Sequence, residues 1–271
     1  MPDVAPVPDR HAASDPGAVS DSGRVAWLHG YTMDSTIWEP LWERLPEAEH
    51  VGLDLPGHGR AADSPMPAGL PALAAEVADQ LRAQRCRTLI ALSFGSCVAL
   101  QVALDHPDVL DRLVLAAPTL SGVPDDPAAR AKYFLLYATF RSSGPGAMMA
   151  RQWMADPPGI FTGLRDRPVA YAQMAEVVAR HRFTELGTGA MGAMAQTVHT
   201  TDHLASLDLP VLVVTGTQDM PQFRENALLL DEHAPQSTVV TVPGAGHLPL
   251  LEEPAVCSRV LSDFLAEPVA A

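Results

Sequence analysis

From Arg24 onward, short runs of aliphatic and β-branched residues alternate with helical patterns, and no other property of the chain narrows its fold as far. The runs are Arg24–Leu28, Val51–Asp54, Thr88–Leu92, Arg112–Ala117, Val211–Thr215 and Thr238–Val242. Such alternation predicts an α/β class: a mostly parallel sheet covered by helices on both faces. Between the first two runs, Trp38, Leu41, Trp42 and Leu45 fall at i, i+3, i+4 and i+7 behind a polar N-cap at Asp34 or Ser35, so one amphipathic helix is expected over Asp34–Leu45. Leu70–Arg85, Phe94–Asp105, Pro221–His233 and Pro254–Leu265 read as helices too, the last two opened by a tolerated proline.

The alternation breaks after Pro118, and about ninety residues pass before the strand at Val211. Helical stretches over Ala128–Arg141, Pro145–Ala155, Pro168–Arg182 and Thr188–Thr200 are separated there by Gly and Pro clusters, which predicts a helical cap over residues 121–208 inserted into a core of 24–120 and 209–271. The cap is rich in methionine and aromatic residues. Most of these are expected to pack its own core, while Met148, Met149, Trp153 and Met174 are the candidates for lining a pocket that moulds to an apolar substrate.

Three strand ends carry the chemistry. Thr88–Leu92 stops at Ser93, turns through Gly95 and resumes as a helix, the layout of a nucleophile elbow: a weakly nucleophilic hydroxyl exposed on a sharp turn and dependent on a base brought from elsewhere. Val211–Thr215 runs on to Asp219, and Thr238–Val242 runs on to His247, so the chain order is Ser, Asp, His.

With these residues the chain resembles the α/β-hydrolase superfamily from Arg24 to Leu265. Leu28-His29-Gly30-Tyr31 is similar to its oxyanion loop and Asp54-Leu55-Pro56-Gly57-His58-Gly59 to its D-x-P-G-x-G loop. Gly246-His247-Leu248-Pro249 is similar to its histidine loop. One departure is Ala91, where the G-x-S-x-G elbow has its first glycine; the added methyl crowds the turn slightly. The resemblance is greatest to capped small esterases and C–C bond hydrolases, including the methyl-ester carboxylesterases of biotin synthesis. It implies Ser93 as nucleophile, His247 as base and Asp219 as the residue that orients it. It also implies an oxyanion hole made by the backbone N–H groups of Tyr31 and Phe94. His29, His58 and Asp54 are expected to hold loops together by hydrogen bonding. Asp125, the nearest acid after the preceding strand, is the weaker candidate for the acid.

The implied function is hydrolysis of a small to medium, largely apolar ester or thioester. The same site also suits C–C hydrolysis, a lyase or cyclase step, or acyl transfer, and the capped pocket suits a non-catalytic ligand receptor. Neither cofactor nor metal is expected, although His199 and His203 have an H-x-x-x-H spacing. A net charge of −14 disfavours nucleic acid and anionic membranes as partners, both of which need clustered Lys and Arg. No apolar run approaches the roughly 20 residues of a membrane span. Cys86, Cys97 and Cys257 form no C-x-x-C pair and are expected as reduced core thiols. Residues 1–23 lack a basic start and an apolar core, which points to a cytoplasmic protein with a frayed N-terminal segment. A monomer or homodimer is expected, the apolar cap being the surface that could pair.

Overall fold

A computed structural model of the chain describes residues 23–123, 127–156 and 159–268. The expected fraying of the N-terminal segment and the placement of Asp125 lie outside the described residues. Six strands, β1 (Arg24–Leu28), β2 (Glu49–Leu53), β3 (Thr88–Leu92), β4 (Arg112–Ala116), β5 (Val211–Gly216) and β6 (Ser237–Val242), form one sheet in the order β2-β1-β3-β4-β5-β6. Every pairing is parallel. The expected runs thus lie within one or two residues of the strands.

Parallel strands need crossover connections, and here they are helices. α1 (Glu39–Trp42) follows β1, α2 (Leu70–Gln84) follows β2, and α3 (Phe94–Asp105) follows β3. α4 (Pro127–Ser143), α5 (Ala147–Ala155), α6 (Pro168–Arg180), α7 (Ala190–Met194) and α8 (Thr201–Ala205) intervene between β4 and β5. α9 (Pro221–His233) joins β5 to β6, and α10 (Pro249–Glu252) and α11 (Pro254–Ala266) close the chain. Among the described residues no helix is long and apolar enough to cross a membrane.

Side chains alternate between the two faces of a strand, and the core divides accordingly. Ala26, Leu28, Leu89, Ala91, Leu113, Leu115, Val211 and Val213 pack with α2, α3 and α9 on one face. Val25, Trp27, Ile90, Leu92, Val114, Ala116, Leu212 and Val214 pack with α11, α1 and the inserted helices on the other. Each fully buried Leu or Val is worth roughly 1.5–3 kcal/mol, so burial on both faces accounts for the near-continuous apolar runs of β3, β4 and β5.

Two helix expectations need correction. Asp34–Leu45 is a 3₁₀ turn, Ser35–Trp38, followed by the single α-turn of α1. The Asp34 carboxylate accepts the Thr36 N–H at 3.1 Å, and Pro40, with no N–H to give, starts the α-turn afresh. Thr188–Thr200 is likewise broken. Only Ala190–Met194 is helical, and Thr200 then caps α8 in a reciprocal box with His203.

Candidate active site

The strand order locates the site. From β1 the chain moves outward to β2, and from β3 it moves the opposite way to β4, so the loops leaving these two neighbours diverge and open a crevice at their C-terminal ends. His29, Gly30 and Tyr31 leave β1 there, and Ser93 leaves β3.

Ser93 has φ 53° and ψ −121°, a conformation that costs a non-glycine residue about 1–3 kcal/mol. Its surroundings hold it there. The Ser93 N–H continues the β3–β4 ladder to the Ala116 carbonyl at 2.9 Å, and the Ser93 carbonyl accepts the N–H groups of Ser96 and Cys97 at 2.8 and 3.2 Å. The turn also needs α3 to pass close to β1, which Gly95 permits. Ala91, at the departure from the usual elbow, is fully buried opposite Leu28, and the turn forms with its methyl in place.

His247 comes in from the loop after β6. Its Nε2 lies 2.8 Å from Ser93 Oγ and its Nδ1 lies 2.9 Å from Asp219 Oδ1, all three residues being buried. Asp219 Oδ1 also accepts the Met220 N–H at 2.7 Å, and the Phe223 ring packs on the imidazole with centroids 4.2 Å apart. Gly216 brings the two loops together: a Cβ there would stand 2.2 Å from the carbonyl oxygens of Ala245 and Gly246. With Nδ1–H donated to a carboxylate, Nε2 presents its lone pair to the serine hydroxyl, the tautomer a general base needs.

Across the crevice, the backbone N–H groups of Tyr31 and Phe94 make no hydrogen bond among the described residues. Phe94 directly follows Ser93, and a Cβ at Gly30, the residue before Tyr31, would stand 3.3 Å from Ser93 Cβ. Both unpartnered N–H groups thus belong to segments beside the serine, an arrangement that suits an oxyanion. His29 shapes this loop rather than reacting: its Nδ1–H donates to the Gly30 carbonyl at 2.8 Å, and its Nε2 accepts the Leu55 N–H at 3.1 Å. Burial lowers its pKa and keeps it neutral. Asp54 binds the neighbouring loop, accepting the N–H groups of Ser35 and Arg60 at 2.7 and 2.9 Å and the Arg60 side chain at 2.8 Å. Although burial opposes it, these donors lower its pKa overall.

The sequence profile of the Alpha/beta hydrolase family matches residues 25–260 of the chain. The chain belongs to the alpha/beta hydrolase family. Among curated relatives in this family, the pimeloyl-[acyl-carrier protein] methyl ester esterase of Yersinia enterocolitica is 27% identical over 244 residues, covering 88% of this chain and 91% of the relative. That of Aeromonas hydrophila is 30% identical over 268 residues, covering 88% and 93%. A solved thermophilic esterase from Thermogutta terrifontis matches with a TM-score of 0.73 at 27% identity, covering 89% of each chain. This alpha/beta hydrolase is an enzyme of the serine-hydrolase kind.

The pocket expectations divide. Met149 and Trp153 are buried on one face of α5, with the Trp153 indole N–H donating to Thr32 Oγ1 at 2.9 Å. Met148 points elsewhere. It is 51% exposed, because a residue adjacent to Met149 in a helix projects about 100° away from it. Met174 faces a groove of about 900 Å³ shared with Met33, Ile37, Val177 and Leu250, and neither Ser93 nor His247 lines that groove.

Two carboxylates of this alpha/beta hydrolase escaped the sequence reading. Glu252 is buried and accepts the N–H groups of Gly246 and Leu248, on either side of His247, at 2.5 and 3.0 Å. Burial raises its pKa despite those donors. Glu185, from the inserted segment, accepts the Tyr31 hydroxyl at 2.7 Å. The spacing His247-x-x-x-x-Glu252 is local enough to have signalled the first; nothing local signals the second. His199 and His203 are engaged otherwise: His199 with Ser121 and Gln101, and His203 in the cap of α8. The three cysteines are free and buried, and burial pushes the Cys97 and Cys257 thiols up to about 12.

Proposed function

We propose that Ser93 is the nucleophile of this esterase, His247 its general base and acid, and Asp219 the residue that orients the imidazole. The unbroken relay from Ser93 Oγ to His247 to Asp219, at 2.8 and 2.9 Å, carries the reading. Ser93 Oγ attacks the ester carbonyl as Nε2 takes its proton. The N–H groups of Tyr31 and Phe94 receive the oxyanion, and the expelled alcohol takes the proton back from His247. Water then repeats the cycle on the acyl-enzyme and regenerates Ser93. General acid–base transfer of this kind contributes roughly 10² to 10⁴ in rate. No step calls for a metal or cofactor.

Residues 121–208 serve as a cap over the site, and the substrate is a small to medium, largely apolar ester. Methyl esters of medium-length acyl chains are the favoured class, supported by the names of the curated relatives. Three buried free thiols support a reducing, cytoplasmic setting, where the protein acts as a monomer or homodimer. The test is turnover of p-nitrophenyl esters of increasing acyl length, alongside medium-chain methyl esters, by the native enzyme and Ser93→Ala. Turnover with a chain-length optimum that Ser93→Ala abolishes is expected. Turnover that survives Ser93→Ala overturns the assignment.

A further inference from the structure

Consecutive residues of the loop after β1 are gripped by side chains of the inserted helical segment. The Tyr31 hydroxyl donates to Glu185 Oε1 at 2.7 Å, and Thr32 Oγ1 accepts the Trp153 indole N–H at 2.9 Å. Two residues on, Asp34 Oδ2 accepts from Arg180 at 2.9 Å, as does Thr36 Oγ1. The grip acts on strained backbone: Thr32 has φ +64°, a left-handed conformation that a β-branched residue rarely adopts. Without something to hold it, such a residue relaxes and carries its neighbour with it.

The Tyr31 end of the grip is built at the expense of an apolar core. Glu185 and His181 are both almost fully buried, and His181 Nε2–H donates to Glu185 Oε1 at 3.1 Å, the oxygen that also receives Tyr31. Burial alone would raise the Glu185 pKa, but the His181 and Tyr31 donors lower it overall and keep the carboxylate charged. Glu185 Oε2, His181 Nδ1 and His58 Nε2 have no partner among the described residues. The His181 and His58 rings lie 4.4 Å apart beside Tyr31. A segment selected only to cover apolar surface would place aliphatic residues here, since unpartnered buried polar atoms weaken a fold.

We infer that Glu185 is a positioning residue: by holding the Tyr31 side chain, it sets the Tyr31 backbone N–H for the oxyanion, so that the oxyanion hole is complete only while the inserted segment is docked. The inference rests on the assignment of Tyr31 to the oxyanion hole made above. Removing an oxyanion donor outright costs about 10²–10³ in kcat. Loosening one costs less, so Glu185→Ala is expected to lower kcat by about tenfold to a hundredfold with KM changed little.

Steady-state kinetics of the full-length enzyme on a p-nitrophenyl ester, for Glu185→Ala, Glu185→Gln, Tyr31→Phe and Tyr31→Phe/Glu185→Ala, test the inference. Glu185→Gln keeps an acceptor oxygen and is expected to recover most of the kcat that Glu185→Ala loses. Tyr31→Phe removes the same hydrogen bond from the core side, so it remains informative if Glu185→Ala does not fold. It should lower kcat comparably, and the double variant should fall no further than the lower single. Folded variants with native kcat, a loss confined to KM, or additive losses in the double variant overturn the inference. If Ser93→Ala leaves turnover intact, the catalytic assignment itself fails. If Ser93→Ala abolishes turnover while Tyr31→Phe and Glu185→Ala leave kcat unchanged, only the positioning role of Glu185 fails.

Discussion

Gly95 lies so close to His29 that a Cβ added at Gly95 would stand 2.4 Å from the His29 carbonyl oxygen. The next atom it would meet, the Leu28 carbonyl oxygen at 2.9 Å, is also backbone, so no side chain can swing aside to make room. α3 would have to tilt off β1, taking Ser93 and the Phe94 N–H with it. Gly95→Ala is therefore expected to cost about 1–3 kcal/mol as overpacking. It should also lower kcat by up to about a hundredfold through misplacement of Ser93, the proposed nucleophile. Urea denaturation and ester turnover check both parts; a native midpoint with native kcat would show that the approach is not tight.

Ser93 pays in stability for its exposure at the turn. With φ at 53° and ψ at −121°, it occupies a region that glycine enters without steric cost. Ser93→Gly and Ser93→Ala should both be inactive, but Ser93→Gly should be the more stable of the two by about 1 kcal/mol, the strain relieved being partly offset by glycine's greater unfolded entropy. Thermal melts of the two variants decide it. Equal melting temperatures would mean that the turn relaxes around alanine.

Strand ends were the legible part of this chain. Ser93, Asp219 and His247 each follow an apolar run, and a parallel sheet delivers such ends to one edge whatever the loops do. Asp34–Leu45 misled because its apolar spacing is helical while its local chemistry is not: the Asp34 side chain bonds Thr36, and Pro40 interrupts the ladder. Thr188–Thr200 misled in the same way, since Thr200 begins a new helix rather than ending one. Glu185 was illegible for another reason. Its partner Tyr31 is 154 residues away, so only the docking of the inserted segment creates the pair.

Glu252 holds the histidine loop by two separate hydrogen bonds, one to each carboxylate oxygen. In Glu252→Gln one of those oxygens becomes an NH₂ group, which faces a backbone N–H with a donor and leaves that N–H unpaired. The loss is expected to be about 1–3 kcal/mol of stability, with kcat falling as His247 drifts from Ser93 Oγ. Glu252→Ala should fall further, because neither N–H is then accepted. Melting temperature and kcat measured on both variants check the order; if Glu252→Gln matches the native enzyme, the carboxylate does not position the loop.

His199 ties the exit of the inserted segment to its entrance. Its Nδ1 accepts the Ser121 N–H at 3.2 Å, its Nε2–H donates to Gln101 Oε1 at 3.0 Å, and its own N–H donates to the Ser121 carbonyl at 2.9 Å. An imidazole that accepts at one nitrogen and donates at the other must be neutral. Burial, with a smaller push from His203, lowers its pKa to about 4. Unfolded, the same ring titrates near 6.5. Between those values the unfolded chain binds a proton that the folded chain refuses, so stability rises with pH across the interval. The contribution is present in full above about pH 6.5 and is lost as pH falls toward 4, an amplitude of about 3 kcal/mol from the lowered pKa. His199→Gln removes the titration, so the variant should be less stable than the native enzyme at pH 7 yet lose less between pH 7 and pH 4.5. Urea midpoints at the two pH values measure this. Equal losses in the two proteins would assign the acid sensitivity to other groups.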